Sequence, residues 1–109
     1  MAWKVYYFQT SRGDYPVKSF VEKQDLPTRT KIARSIRMLV DYGPFIKPPY
    51  CKKLHDKLWE LRILGKVAIR ILYTYKNDAY YLIHAFKKKS QKTPSYEVQT
   101  ALDRLKESI

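Results

Sequence analysis

Apolar and polar residues alternate with a period of two through Leu58–Pro94, which predicts three consecutive antiparallel strands running into a lysine cluster. The alternation assigns Glu60, Arg62, Tyr80, His84 and Phe86, with Arg70, to one face of this sheet. It assigns Trp59, Leu61, Ile63, Ile69, Ile71, Tyr73, Tyr75, Tyr81 and Ile83 to the other. Gly65-Lys66 and Lys76-Asn77-Asp78 read as hairpin turns. Upstream, Trp3 to Phe8 is rich in β-formers and predicts a further strand.

Elsewhere the period is helical. Val17, Phe20 and Val21 fall on one side of a short helix that Asp14 is placed to cap, with Pro16 in its first turn and Lys23 near its end. After Leu26-Pro27-Thr28, the positions Ile32, Ala33, Ile36, Leu39 and Val40 form the apolar stripe of a second helix, ended by Gly43-Pro44. Phe45 to Lys57 carries Pro48 and Pro49 among lysines and reads as a loop, because proline removes ladder donors. Thr93-Pro94-Ser95 opens a last helix with Val98, Ala101, Leu102 and Leu105 on its stripe. The expected order is β-α-α-β-β-β-α. It describes a single α+β domain over residues 1–109, a small antiparallel sheet with an N-terminal helical hairpin and a C-terminal helix packed on one face.

Charge sharpens this picture. Lys and Arg number 22 against 10 acidic residues, a formal net charge of +12, and aromatic residues make up 15% of the chain. Such an excess implies a polyanionic partner, with nucleic acid foremost. The single cysteine, Cys51, excludes an internal disulfide and fits a reducing cytoplasm. The two histidines, His55 and His84, have no metal-ligand spacing, so no metal or cofactor is expected. The apolar start is too short and too polar for a signal peptide or membrane span, so a soluble cytoplasmic protein is expected.

Several residues suit phosphate chemistry. Arg62 and Arg70 lie on neighbouring strands, and each offers a planar fork that matches two phosphate oxygens. Lys87, Lys88, Lys89 and Lys92 lie where the last strand leaves the sheet, and Lys52 and Lys53 precede the meander. A lysine among cations can bind phosphate or, with a lowered pKa, move a proton. His84 transfers protons near neutral pH, and Glu60 is suited to orient Arg62 by a salt bridge. Solvated surface positions, or a hydrogen-bonded strand histidine, account for the same residues equally simply.

The strings Leu58-Trp59-Glu60-Leu61-Arg62, Arg70-Ile71-Leu72-Tyr73 and His84-Ala85-Phe86-Lys87-Lys88-Lys89-Ser90-Gln91-Lys92-Thr93-Pro94 resemble the HigB-type, phage-associated branch of the RelE/ParE toxin superfamily. Tyr15-Pro16-Val17 and Phe20 resemble that branch's first helix, and the likeness covers nearly the whole chain. It implies the toxin of a type II toxin–antitoxin pair, a metal-independent ribonuclease that cuts mRNA on the ribosome through attack of the ribose 2′-OH. By position it implies Arg70 as the phosphate-binding arginine, Arg62 as a basic strand residue, and Lys88 near the catalytic position that ends the last strand. Lys52 and Lys53 match basic loop residues. His84 falls a few residues before the catalytic histidines of relatives, and no loop glutamate matches the base that some of them use.

The implied partners are the ribosome, mRNA and a cognate antitoxin with a helix-turn-helix domain, operator DNA being reached only through the antitoxin complex. No membrane partner is implied. Two alternatives stay open: a toxin of the same fold that poisons DNA gyrase without cutting RNA, and a non-catalytic nucleic-acid-binding module.

Overall fold

A computed structural model describes residues 2–107. The first strand, β1 (Lys4–Tyr7), leads into α1 (Pro16–Glu22) and α2 (Leu26–Tyr42). Four strands follow, β2 (Cys51–His55), β3 (Leu58–Ile63), β4 (Ile69–Lys76) and β5 (Ala79–Lys87), and α3 (Ser95–Glu107) closes the order. The strands form one sheet in the order β1-β5-β4-β3-β2. Neighbours are antiparallel except β1, which runs parallel to β5. The sheet is therefore mixed, not antiparallel throughout. No described helix is long and apolar enough to cross a membrane.

Local chemistry accounts for most boundaries. Asp25 caps α2, its carboxylate accepting the Thr28 backbone N–H at 2.9 Å. Gly43 ends α2 at φ +52°, and a side chain there would strike the Trp3 ring, since a Cβ would lie 2.5 Å from its Cδ2. Asn77 and Asp78, both at positive φ, make the two-residue turn between β4 and β5. Asp14 does not cap α1: Tyr15 is the cap residue and no side chain bonds there.

Three expectations are overturned. The segment read as a loop contains β2, an edge strand whose exposed lysines are tolerated because one side of it faces solvent. The helices occupy both faces of the sheet. Val17, Ile32 and Leu39 of α1 and α2 pack on Leu61, Ile63, Ile69 and Ile71, whereas Ala101 and Leu105 of α3 pack on Leu58, Leu72, Ile83 and Phe86. Finally, the pairing of β4 with β5 slips between Leu72↔His84 and Tyr73↔Leu82. A one-residue bulge at Ile83 breaks the alternation of β5, so the residues before His84 take the faces opposite to those expected. Tyr81 and Ile83 thus join the α3 side, and Tyr80 joins Tyr73 on the α1/α2 side. Ala33, placed on the α2 stripe by spacing, is exposed, and Met38 packs there instead.

Candidate functional site

Cross-strand pairing brings the two arginines together. Arg62 of β3 lies opposite Arg70 of β4, and Lys52 of the edge strand lies opposite Glu60. Glu60 is fully buried beneath them. Its Oε1 accepts the Arg62 Nε–H at 3.1 Å and lies 3.7 Å from the Arg70 Nε. Its Oε2 accepts the hydroxyl of Thr93, from the segment after β5. A buried carboxylate needs such partners, and here its hydrogen bond fixes the direction of the Arg62 guanidinium while Arg70 lies within ion-pair distance.

Arg70 is the more deeply set of the pair, 7% exposed. One Nη donates to the Ile69 carbonyl at 3.0 Å, while Nε is buried with no hydrogen-bond partner among the described residues. Burial lowers its pKa, Glu60 opposes that, and Arg62 adds to it. Arg62 is the more accessible arginine, with 24% of its side chain exposed.

Beside Arg62 runs a groove of about 750 Å³, which the deeper-set Arg70 does not line. Its cations are Lys52, Lys53, Arg62, Lys88 and Lys92, with Glu60 in its floor and α3 along one side. Burial lowers the Lys88 pKa, and the charges of Arg70, Arg62 and Lys52 push it the same way against the pull of Glu60. A phosphate entering here meets lysines of β2 and of the segment after β5, with an arginine fork beside them.

Lys87 and Lys89 do not join this cluster. They border an adjoining hollow of about 440 Å³ with Phe20 and Tyr96, which shares Lys88, Ser90 and Pro94 with the groove. His84, on the same sheet face as the arginines, is held under α3. Its Nε2 lies 2.7 Å from Glu97 and its Nδ1 lies 3.0 Å from an Arg104 Nη that also donates to the Ile83 carbonyl. Arginine only donates, so Nδ1 accepts and Nε2–H donates to Glu97, which defines a neutral tautomer. Burial lowers the His84 pKa, the hydrogen bond to Glu97 opposes this, and Arg104 adds to it. The imidazole also stacks on Phe86 at 5.5 Å. Its surroundings are those of a strut between β5 and α3, and it does not line the basic groove.

Thr93, Glu97 and Arg104 carry parts of this arrangement that the alternation of the strands did not reveal. Glu97 and Arg104 lie two helical turns apart, a spacing that puts both on one side of α3, and that was their only sequence signal. No group of three or more His, Cys, Asp or Glu among the described residues is arranged to hold a metal ion.

Fold and site together define a small α+β domain with a cationic groove beside paired arginines. The family model described as phage derived protein Gp49-like (DUF891) matches residues 19–106, and the chain belongs to that family. No curated protein matches the chain closely enough to count as a relative.

Proposed function

We propose that this protein is a toxin of a type II toxin–antitoxin pair that cleaves mRNA engaged on the ribosome. The observation that carries the reading is that Arg62, Lys52 and Lys88 line one open groove with the buried Glu60, while Arg70 lies behind them against the same carboxylate. A phage-derived family and a net charge of +12 accord with it.

The chemistry follows from the groups present. The ribose 2′-oxygen attacks the adjacent phosphorus, an O2′–P bond forms, and the P–O5′ bond breaks. The 2′-OH proton passes to a base, and a proton reaches the leaving 5′-oxygen. The products are a 2′,3′-cyclic phosphate and a 5′-hydroxyl. Arg62, in the groove lining, stabilises the charge that builds on the phosphoryl oxygens, and the buried Arg70 adds its positive charge from behind. Lys88, whose pKa is lowered, donates the proton that reaches the leaving 5′-oxygen, water takes the 2′-OH proton, and Lys52 and Lys92 hold neighbouring phosphates. Glu60 is a positioning residue, occupied by Arg62 and Thr93. DNA lacks the attacking hydroxyl and is not cut.

The test is a purified translation reaction programmed with one defined mRNA. Fragments ending in 2′,3′-cyclic phosphate are expected with the wild-type protein, and Arg62→Ala is expected to abolish them. Intact mRNA would contradict the reading, and double-strand breaks in gyrase-bound DNA would replace it with the gyrase alternative.

A further inference from the structure

A second groove, of about 930 Å³, opens on the α1/α2 side of the sheet. Both tryptophans of the chain, Trp3 and Trp59, line it together with Tyr73, Tyr75 and Tyr80. Trp59 stacks on Tyr73 with rings 6.3 Å apart and 22° from parallel, and Tyr75 leans on Tyr80 at 4.7 Å. Tyr73 and Tyr80 are buried and back the wall, whereas Tyr75 is 44% exposed, so of these tyrosines its ring is the one that offers surface to an incoming group. Burial holds the Tyr73 hydroxyl far above its ordinary pKa, which keeps it neutral.

This aromatic groove is continuous with the basic one. Lys52, Lys53 and Arg62 line both. The reason is local: β2 is the edge of the sheet, and its residues border both faces. Lys53, opposite Trp59 in the ladder, places its ammonium 5.5 Å from the Trp59 ring. Cations that grip phosphates thus stand beside flat aromatic walls, with no acidic residue lining the second groove. Single-stranded RNA has the matching alternation of phosphate and planar base, and stacking on aromatic rings is how proteins hold splayed bases.

We infer that the groove walled by Trp59, Tyr73, Tyr75 and Tyr80 is a nucleobase subsite, taking a base of the RNA strand that crosses the arginine groove. The inference rests on the nuclease reading for its substrate, and it adds where a base of that substrate is held. The strand wraps the β2 edge, its backbone on Lys52, Lys53 and Arg62 and one base turned onto the aromatic wall.

The experiment uses the full chain and a tetranucleotide RNA with 2′-O-methyl riboses, which cannot be cleaved by their own 2′-oxygen. Its control is an abasic phosphodiester of the same length and charge. Because both tryptophans line the groove, their fluorescence reports occupancy. The base-bearing strand is expected to quench emission and to bind about 5- to 100-fold more tightly than the abasic one, the worth of one stacked base. Tyr75→Ala is expected to erase that advantage and Tyr75→Phe to keep it, with salt-dependent binding of both strands retained. Equal affinities with unquenched emission would overturn the subsite, and would do so even if the mRNA is cut. Base-dependent quenching in a protein that cuts no message would uphold the subsite and sink the nuclease. Quenching by an acidic amphipathic peptide but not by RNA would assign the groove to a protein partner and overturn the proposal.

Discussion

Glu60 concentrates the consequences of the site into one residue. It is the buried anion between Arg62, Arg70 and Thr93. Removing one partner of a buried charge set leaves the others uncompensated. Glu60→Ala is expected to cost about 3–5 kcal/mol of stability, measured by denaturant unfolding. Glu60→Gln, which keeps hydrogen-bonding atoms in place, is expected to cost less. An Ala variant as stable as wild type would show that the arginines need no anchor. His84 gives a prediction in pH. Its folded pKa is lowered, so the neutral form is favoured in the folded state and the unfolded chain binds the extra proton first. The stability it contributes is present above its unfolded pKa of about 6.5 and is lost as pH falls through that value toward the folded one. Unfolding free energy should decline between about pH 7 and 5, by up to roughly 1.4 kcal/mol per pH unit for one proton. His84→Gln should flatten that limb, and an unchanged slope would remove His84 as its cause.

Among the elements, β3, β4, β5, α2 and α3 were legible because long alternating or helical stripes leave few choices. The resemblance of the Leu58–Pro94 strings pointed to the arginines, and cross-strand pairing then seated Arg62 against Arg70. β2 was hidden: its prolines precede it and its lysines look like loop, yet an edge strand needs only one set of partners. The bulge in β5 was also hidden, because Ala79 to Ile83 are apolar at every position and their alternation shows no phase for a bulge to break. That slip is why Tyr80 faces Tyr73 and why the aromatic wall exists. The side taken by α3 was misjudged because Leu58, Leu72 and Phe86 make the arginine face partly apolar. Gly43 ties α2 to β1 by its close approach to the Trp3 ring. Gly43→Ala is expected to lower stability by about 1–3 kcal/mol, from positive φ together with the displaced ring. A melting temperature equal to wild type would show that this junction relaxes freely.

At the scale of the molecule, a net charge of +12 and a groove with cations from β2, β3 and the segment after β5 make RNA affinity strongly dependent on salt. Removing Lys52 or Lys92 should weaken binding to all sequences alike. It should also reduce the slope of log K against log salt by about 0.7 for each phosphate of a single strand that is no longer neutralised. An unaltered slope would place the RNA elsewhere. On the proposed function, the groove at Arg62 and Glu60 cuts messages during translation. The most direct measurement is the mapping of mRNA 5′ ends in cells minutes after induction, comparing wild type with an Arg62→Ala variant verified as folded by its melting curve. New ends at in-frame positions, requiring both translation of the message and Arg62, are the predicted result. Messages left intact while growth stops, or cuts that persist in folded Arg62→Ala, would contradict the account.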